Sequence, residues 1–184
     1  NPNPLSGKWG YQTTTSWKLL EWTRDALDVT WTEELCGIYV TEIFGTKTTF
    51  PEQFVSTMPI RTKSGVLSDA SVGAEFSAGP FADLNGVDLG EPFSDALPTS
   101  ANHATVNDQD NDGNPGITVN IDNDLMGKGD VYAVQRNITE YVGTVTEEGR
   151  IEGFVATAAE QVTVGASDWW LEAGAETRDD EDPS

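Results

Sequence analysis

The segment that decides the fold is Val131–Val164, VYAVQRNITEYVGTVTEEGRIEGFVATAAEQVTV. Short runs of Val, Ile, Thr and Tyr alternate with polar residues, and this period of two is typical of β-strands that bury one face. Glu147-Glu148-Gly149 separates two of the runs and predicts a hairpin turn. Consecutive hairpins form antiparallel sheets that close into barrels or pack as sandwiches. The segment therefore predicts an all-β fold.

The same alternation extends toward the N-terminus. Ile117–Ile121 predicts a strand that precedes the decisive segment. A long first strand is predicted around Trp9, Tyr11 and Trp17, whose odd-numbered spacing places them on one face. Further strands are expected around Trp31 and between residues 34 and 62.

The length of 184 residues indicates a single domain. We predict an antiparallel β-barrel over residues 1–175, followed by a disordered acidic tail over 176–184. Residues 79–115 are rich in Gly, Pro and Asn and predict a long loop. Since long structureless loops are uncommon in compact domains, this one is expected to be functional or tied down.

An acidic motif near the end of this loop suggests that a bound cation holds the loop in place. Asp108, Asp110 and Asp112 alternate along the chain and are followed by a Gly that permits a sharp turn. Carboxylate and carbonyl oxygens at about 2.3–2.6 Å are the ligands that Ca²⁺ prefers. The three aspartates, with the backbone carbonyl of Asn114, therefore predict a calcium loop, whereas an Asx-rich turn without metal is the alternative.

The motif departs from an EF-hand. Val119 stands where a bidentate Glu would close the site, and Pro115-Gly116 leads into a strand rather than a helix. The motif instead resembles the calcium loops of extracellular β proteins. Such a site needs a further ligand from elsewhere, for which we choose Asp122 over Asp124 and Asp130.

The charge restricts the partners. There are 31 acidic and 10 basic residues, which give a net charge of −21. This field repels nucleic acid and anionic lipid and attracts cations. No apolar run approaches the roughly 18 residues of a membrane span, so membrane insertion is not expected. The chain begins without Met, as expected if a signal peptide has been removed or the start trimmed.

Gly7-Lys8-Trp9 resembles the strand start of lipocalins and avidin-like proteins. The resemblance implies a lipocalin-like (calycin-like) barrel in which the Trp packs on an Arg from a late strand, such as Arg136 or Arg150. A small apolar ligand would then lie among the residues Trp9, Tyr11, Trp17, Trp31 and Arg136. The same aromatic side chains are equally suited to filling a solid core.

Four blocks between Asp108 and Ser167 resemble a family of secreted proteins from myxobacteria and related bacteria. The blocks are DQDNDGNPGITV, VYAVQR, GRIEG and EQVTVGAS. This resemblance implies export and a shared fold, but no activity. We therefore expect an extracellular, periplasmic or cell-surface location.

Enzymatic signals are weak. His103 is the only histidine, and no Gly-x-Ser-x-Gly elbow marks a nucleophile. The single cysteine, Cys36, has apolar neighbours and is predicted to be buried. We expect an exported, calcium-stabilised barrel that binds a small apolar ligand. The alternatives are a structural or accessory subunit that contacts a neighbouring cell-surface protein, and a secreted hydrolase.

Overall fold

The structure is a computed structural model that describes residues 11–147 and 149–172. These residues form one antiparallel sheet of eight strands and two short helices. The strands are β1 (Thr14–Asp25), β2 (Asp28–Val40), β3 (Thr46–Thr49), β4 (Arg61–Leu67), β5 (Glu75–Asn85), β6 (Ile117–Asn123), β7 (Gly127–Glu147) and β8 (Arg150–Ala166). The helices are α1 (Glu52–Thr57) and α2 (Trp169–Glu172). The all-β prediction is confirmed.

The strands follow the order β1-β2-β4-β5-β7-β6-β3, and β8 pairs with β7. The predicted hairpin is present, since Glu147 pairs with Arg150 across the turn between β7 and β8. The two alternating runs in Val131–Val145 belong to the single 21-residue strand β7. Because β7 is this long, one of its edges pairs with both β5 and β6, and its other edge pairs with β8.

The sheet is strongly curled. Trp31 on β2 lies 5.4 Å from Tyr141 on β7, measured between ring centroids, although β4 and β5 separate these strands in the sheet order. Phe76 and Phe81 of β5 contact the same Trp31 ring, and Leu67 is buried beside it. The concave face therefore encloses an aromatic core instead of a wide cavity.

The curl does not close the sheet. In the described ranges, β1 pairs with β2 and β8 pairs with β7, but β1 and β8 do not pair with each other. The antiparallel sheet of the prediction is present, whereas closure into a lipocalin-like barrel remains a prediction.

Two further clusters hold the connections against the sheet. Phe54 of α1 packs with Ile117, the first residue of β6, and with Ala133 of β7. Val87 and Leu97, from the segment between β5 and β6, pack against Val134. All these side chains are buried. α1 thus packs on β7 at Ala133, and the segment between β5 and β6 packs on β7 at Val134.

Several local predictions need correction. Cys36 is exposed, because it lies where the β1–β2 register shifts between Trp17 and Lys18 and its side chain leaves the core face. β5 continues to Asn85, so the long connection begins at residue 86 rather than 79. Trp9 and the tail at 176–184 lie outside the described residues.

The two helices are short. Neither described helix combines the length and apolar character needed to cross a bilayer.

Candidate metal centre

The acidic motif lies directly before β6 and is fixed by backbone hydrogen bonds. The Gln109 N–H donates to the Gly116 carbonyl at 3.1 Å, and the Gly116 N–H donates to the Asn107 carbonyl at 2.7 Å. The Gln109 side chain accepts from the Gly86 N–H at 2.7 Å, and the Gln53 side chain donates to the Asp110 carbonyl. The motif is therefore held at both ends and attached to α1.

Gly116 is where the motif meets the sheet. It is buried, its φ is +86°, and an added Cβ would overlap the Ala133 carbonyl oxygen of β7. Real Cβ atoms do not approach an oxygen this closely, and positive φ disfavours other L-residues. The docking of the motif on β7 thus requires a glycine at this position.

The three predicted carboxylates converge. Asp108, Asp110 and Asp112 each offer one oxygen, and these oxygens all lie within 4.8 Å of one another. Two oxygens on opposite sides of a Ca²⁺ ion are separated by up to about 4.6–5.2 Å, twice the usual metal–oxygen distance. The spacing therefore fits a single cation between the three side chains.

Asp110 is the unusual member of the group. It is only 1% exposed, and its Oδ2 accepts from the Thr118 N–H at 2.9 Å. Its Oδ1 is buried and has no hydrogen-bond partner. Burial, together with the charges of Asp112 and Asp108, raises the pKa of Asp110 above its ordinary value. A buried, unpaired carboxylate oxygen is costly unless a cation or donor completes it.

Hydrogen bonds orient the other two carboxylates. Asp108 accepts from the backbone N–H groups of Asp112 and Gly113 at 3.1 and 2.9 Å. Asp112 accepts from the Asn114 N–H at 2.8 Å and from the Thr118 hydroxyl. Burial opposes ionisation of Asp112, but these two donors lower its pKa below the ordinary value. Each oxygen retains a lone pair that a metal ion can use.

Among the described residues, no basic side chain forms an ion pair with Asp108, Asp110 or Asp112. Since Asp108 and Asp112 are exposed, water has access to the open side of the group. The arrangement suits a hard cation with three carboxylate ligands and several waters.

The two remaining predicted ligands are placed differently. Asn114 lies next to the group, where its N–H donates to Asp112. Asp122 lies on β6 and forms an ion pair with Lys128 at 3.1 Å. It is not part of the carboxylate group, because β6 carries it along the β7 pairing and away from the motif.

Among the described residues, the predicted ligand-binding side chains lie on different parts of the sheet. Tyr11 is 82% exposed, and Trp17 is half exposed on the face opposite the buried Trp31. Arg136 donates to the carbonyls of Pro92 and Asp95 and pairs with Glu160. This arginine therefore fixes the long segment rather than stacking on a described tryptophan.

A buried charged network inside the curl was not predicted from the sequence. Glu33 Oε1 accepts from Trp31 Nε1 at 2.9 Å and from the Tyr141 hydroxyl at 2.7 Å. Its Oε2 accepts from Lys18 at 2.8 Å and from Lys63 at 3.2 Å. Asp83 completes the network, since its two oxygens pair with Lys63 and Arg61.

These contacts fix the protonation states. Burial alone would raise the pKa of Glu33, but the hydrogen bonds from Lys18, Trp31 and the tyrosine lower it to about 2. Burial and the bond to Glu33 raise the pKa of Tyr141. At neutral pH Glu33 is therefore an ionised carboxylate, and its hydrogen bond from Tyr141 holds β2 against β7.

A signal for this network is present in the sequence. Glu33 continues the buried face of Val29 and Trp31 at a spacing of two, and Lys63 lies four residues before Leu67 on the buried face of β4. Charged residues at such positions require partners when buried. The alternation locates them, but it does not reveal which strands bring them together.

Comparison with known proteins gives no relative. No protein-family model, curated protein or solved structure matches this chain. Function must therefore be inferred from the residues of the chain itself.

We predict that Gly116→Ala destabilises the protein by at least about 1 kcal/mol more than Gly113→Ala. Both glycines have positive φ, but a Cβ at Gly113 would meet nothing within 4 Å. The measurement is urea unfolding of both variants in a chelator, so that cation binding does not contribute. Equal losses would contradict the close packing of Gly116 on β7.

We also predict a pH-dependent loss for Glu33→Gln. Because the folded pKa of about 2 lies below the ordinary 4.5, ionised Glu33 stabilises the fold above pH 4.5. This contribution, on the order of 3 kcal/mol, is lost as the pH falls from 4.5 toward 2. The difference in unfolding free energy between wild type and variant should shrink over that range. Glu34→Gln, on the exposed face of β2, should show no such trend.

Proposed function

We propose that this protein is an exported, calcium-binding β-sheet protein in which Asp108, Asp110 and Asp112 hold the ion. The observation that carries the proposal is the buried Oδ1 of Asp110, which has no hydrogen-bond partner and belongs to a carboxylate surrounded by two others. A divalent cation would neutralise this oxygen and offset the repulsion among the three charges.

Calcium is favoured over magnesium by the ligands. Three carboxylates on one short segment, with open access on one side, give an irregular oxygen shell that Ca²⁺ tolerates. Mg²⁺ requires near-octahedral geometry at about 2.0–2.1 Å and gives up its waters reluctantly. The oxygen donors also disfavour zinc, which prefers nitrogen and sulfur.

The cation would act on one end of the long segment. The other end is already attached, since Val87 and Leu97 are buried and Arg136 binds two carbonyls of the segment. The motif end is held by hydrogen bonds of its backbone, Gln109 and Gln53, but its three carboxylates repel one another. Calcium would therefore stabilise residues 107–118 in particular, where β6 begins.

A structural or accessory subunit outside the cell is the role that we favour for this rigid sheet. The aromatic side chains and the Glu33 network fill the described interior, and the predicted ligand residues are dispersed. A concavity of about 680 Å³ is an open groove, lined partly by the exposed Thr30, Ser64 and Val142 opposite the core. An apolar ligand finds little enclosure there.

Binding of a small apolar ligand is the second candidate. It is supported by Leu20 and Trp22, which lie on the core side of β1 and are about half exposed. Closure of the sheet into a barrel would cover these two side chains, with or without a ligand between them.

We predict that Ca²⁺ raises the melting temperature of the wild-type protein by about 5–10 °C at a concentration roughly 100-fold above its Kd. Asp110→Asn should abolish this rise, because the variant loses the central ligand charge. In a chelator the same variant should melt no lower than wild type, because it removes a buried, uncompensated charge. Differential scanning calorimetry with and without Ca²⁺ measures both effects.

Asp122→Asn is the matched control. It makes the same chemical change at the aspartate that pairs with Lys128, so the calcium-dependent rise should persist. Isothermal titration calorimetry should likewise show Ca²⁺ binding to this variant and none to Asp110→Asn. If Ca²⁺ leaves the wild-type melting temperature unchanged and releases no heat, the proposed cation site is wrong.

A further inference from the structure

The outer face of the sheet, opposite the aromatic core, is covered by the long segment over part of β7 only. Val134 and Arg136 lie on this face, where the segment packs on the valine and accepts hydrogen bonds from the arginine. Glu140 and Val142 follow on the same strand and are exposed. Because residues at even spacing on a strand share a face, the described chain leaves the outer face open around these two residues.

The open part of the face contains a groove of about 680 Å³. Asp28 and Thr30 of β2 form one wall, and Glu140 and Val142 of β7 form the other. The floor is built from small side chains of the two strands in between, Ser64 on β4 and Ser77 on β5. Neighbouring strands are about 4.8 Å apart, so walls three strands apart leave room for one extended peptide lying along them.

A bulge in β5 contributes to the low floor. The pairing of β5 with β7 shifts between Ala78 and Phe81, and Gly79 lies within this shift with a φ of +99°. Gly79 lines the groove without a side chain to fill it. An added Cβ would come within 2.7 Å of the Thr139 carbonyl oxygen, so both the contact and the positive φ favour glycine. The groove is therefore a feature of the backbone.

The two walls carry negative charge. Asp28 and Glu140 are both exposed, and within residues 11–147 and 149–172 neither belongs to an ion pair. Asp25 lies directly opposite Asp28 across the β1–β2 turn, which places two like charges together at that wall. The field of this surface attracts cations.

Basic side chains elsewhere on β7 and β8 are already engaged. Arg136 pairs with Glu160, and Arg150 pairs with Glu147 and Glu152. Neither arginine lines the groove. A partner must therefore bring the positive charge that complements the walls.

We propose that this groove binds an extended basic segment of a neighbouring protein, with Asp28 and Glu140 each accepting a lysine or an arginine. Val66 and Val142, which are 47% and 56% exposed, would contact the aliphatic stems of these side chains. The segment lies over the face of the sheet and does not pair with a strand edge. Binding thus combines two ion pairs with apolar contact.

The strand register sets the spacing of the two basic residues. Asp28 begins a cross-strand row that continues through Val66, Ser77 and Val142. Glu140 lies two residues along β7 from this row. Residues two positions apart in an extended segment are separated by the same length and point to the same side. The segment should therefore carry its basic residues two positions apart.

The inference rests on the subunit role proposed above but not on the cation. The groove is lined by β2, β4, β5 and β7, whereas the carboxylates of the metal motif precede β6. Peptide binding and calcium-dependent melting can therefore be measured on the same samples, and either can fail while the other stands.

The first experiment measures binding of a short synthetic peptide that carries two lysines, spaced two positions apart, among valines and threonines. Isothermal titration calorimetry is performed in about 0.15 M NaCl with Ca²⁺, so that distant charges are screened. Wild-type protein should bind the peptide, and replacing either lysine by glutamine should weaken binding roughly threefold to fivefold. A peptide of the same composition with adjacent lysines, which point to opposite sides, should bind less tightly. Equal affinity for the two lysine peptides would overturn the proposal, because it would mean attraction by the net charge alone.

The second experiment changes the walls. Asp28→Asn and Glu140→Gln should each weaken binding of the lysine peptide by a similar factor. Glu34→Gln and Glu52→Gln make the same change in net charge at exposed positions outside the groove lining, so they should leave the affinity unchanged. Equal losses in all four variants would contradict the proposed contacts. Circular dichroism of each variant confirms that lost binding does not reflect lost folding.

The third experiment fills the groove without changing its charge. Ser77 is exposed between Val66 and Val142, so Ser77→Trp should occupy the floor and weaken peptide binding by about tenfold or more. Thr49→Trp, at an exposed position of β3, is the matched control and should bind normally. Unchanged binding to Ser77→Trp would show that the peptide lies elsewhere.

Spermine distinguishes a protein segment from a small flexible cation. The lysine peptide should bind more tightly than spermine, because only the peptide fixes its two charges at the spacing of the walls. If spermine displaces the peptide at equal concentration, the groove recognises charge alone and the proposal is wrong. A wild-type protein that binds no lysine peptide, while its calcium-dependent melting is intact, would overturn it as well.

Discussion

The contact between Glu33 on β2 and Tyr141 on β7 determines the shape of this molecule. It joins strands that are three positions apart in the sheet, so the strands between them must curl. The aromatic rings around Trp31 fill the space that the curl encloses, and two lysines balance the buried carboxylate. Directional hydrogen bonds to a single carboxylate favour one alignment of these strands.

The same curl explains why the chain has two unusual surfaces. Because β2 and β7 are held together, β1 and β8 become the two rims of the curl, and their core-side apolar residues reach solvent. β8 pairs with one edge of β7, and β5 and β6 share the other edge. The connection from β5 to β6, residues 86–116, therefore crosses β7. That connection bears the carboxylates. The candidate cation site and the open edges are thus consequences of one long central strand.

The sequence predicted the parts of the fold that depend on local pattern. Alternation in Val131–Val164 identified the strands and the hairpin, and the spacing of Asp108, Asp110 and Asp112 identified residues that do converge. Contacts that depend on strand order were not predictable: Asp122 is carried away along β6, and Arg136 is directed to the long segment. The prediction for Cys36 was wrong because one register shift changes which face a residue occupies, and alternation cannot reveal such a shift.

The metal motif and the sheet edges involve the same physical problem at different scales. At the motif, three like charges and a buried oxygen without a partner are held together by a backbone that cannot relax, since Gly116 is locked against β7. At the edges, the apolar side chains of Leu20, Trp22 and Val155 remain about half exposed in a curled sheet in which β2 is fixed to β7. In each case, the covalent and packing constraints that create the unsatisfied groups also hold them in order. A ligand that completes such a preorganised surface loses little conformational entropy on binding. For this reason the rigid frame around the motif favours a bound cation.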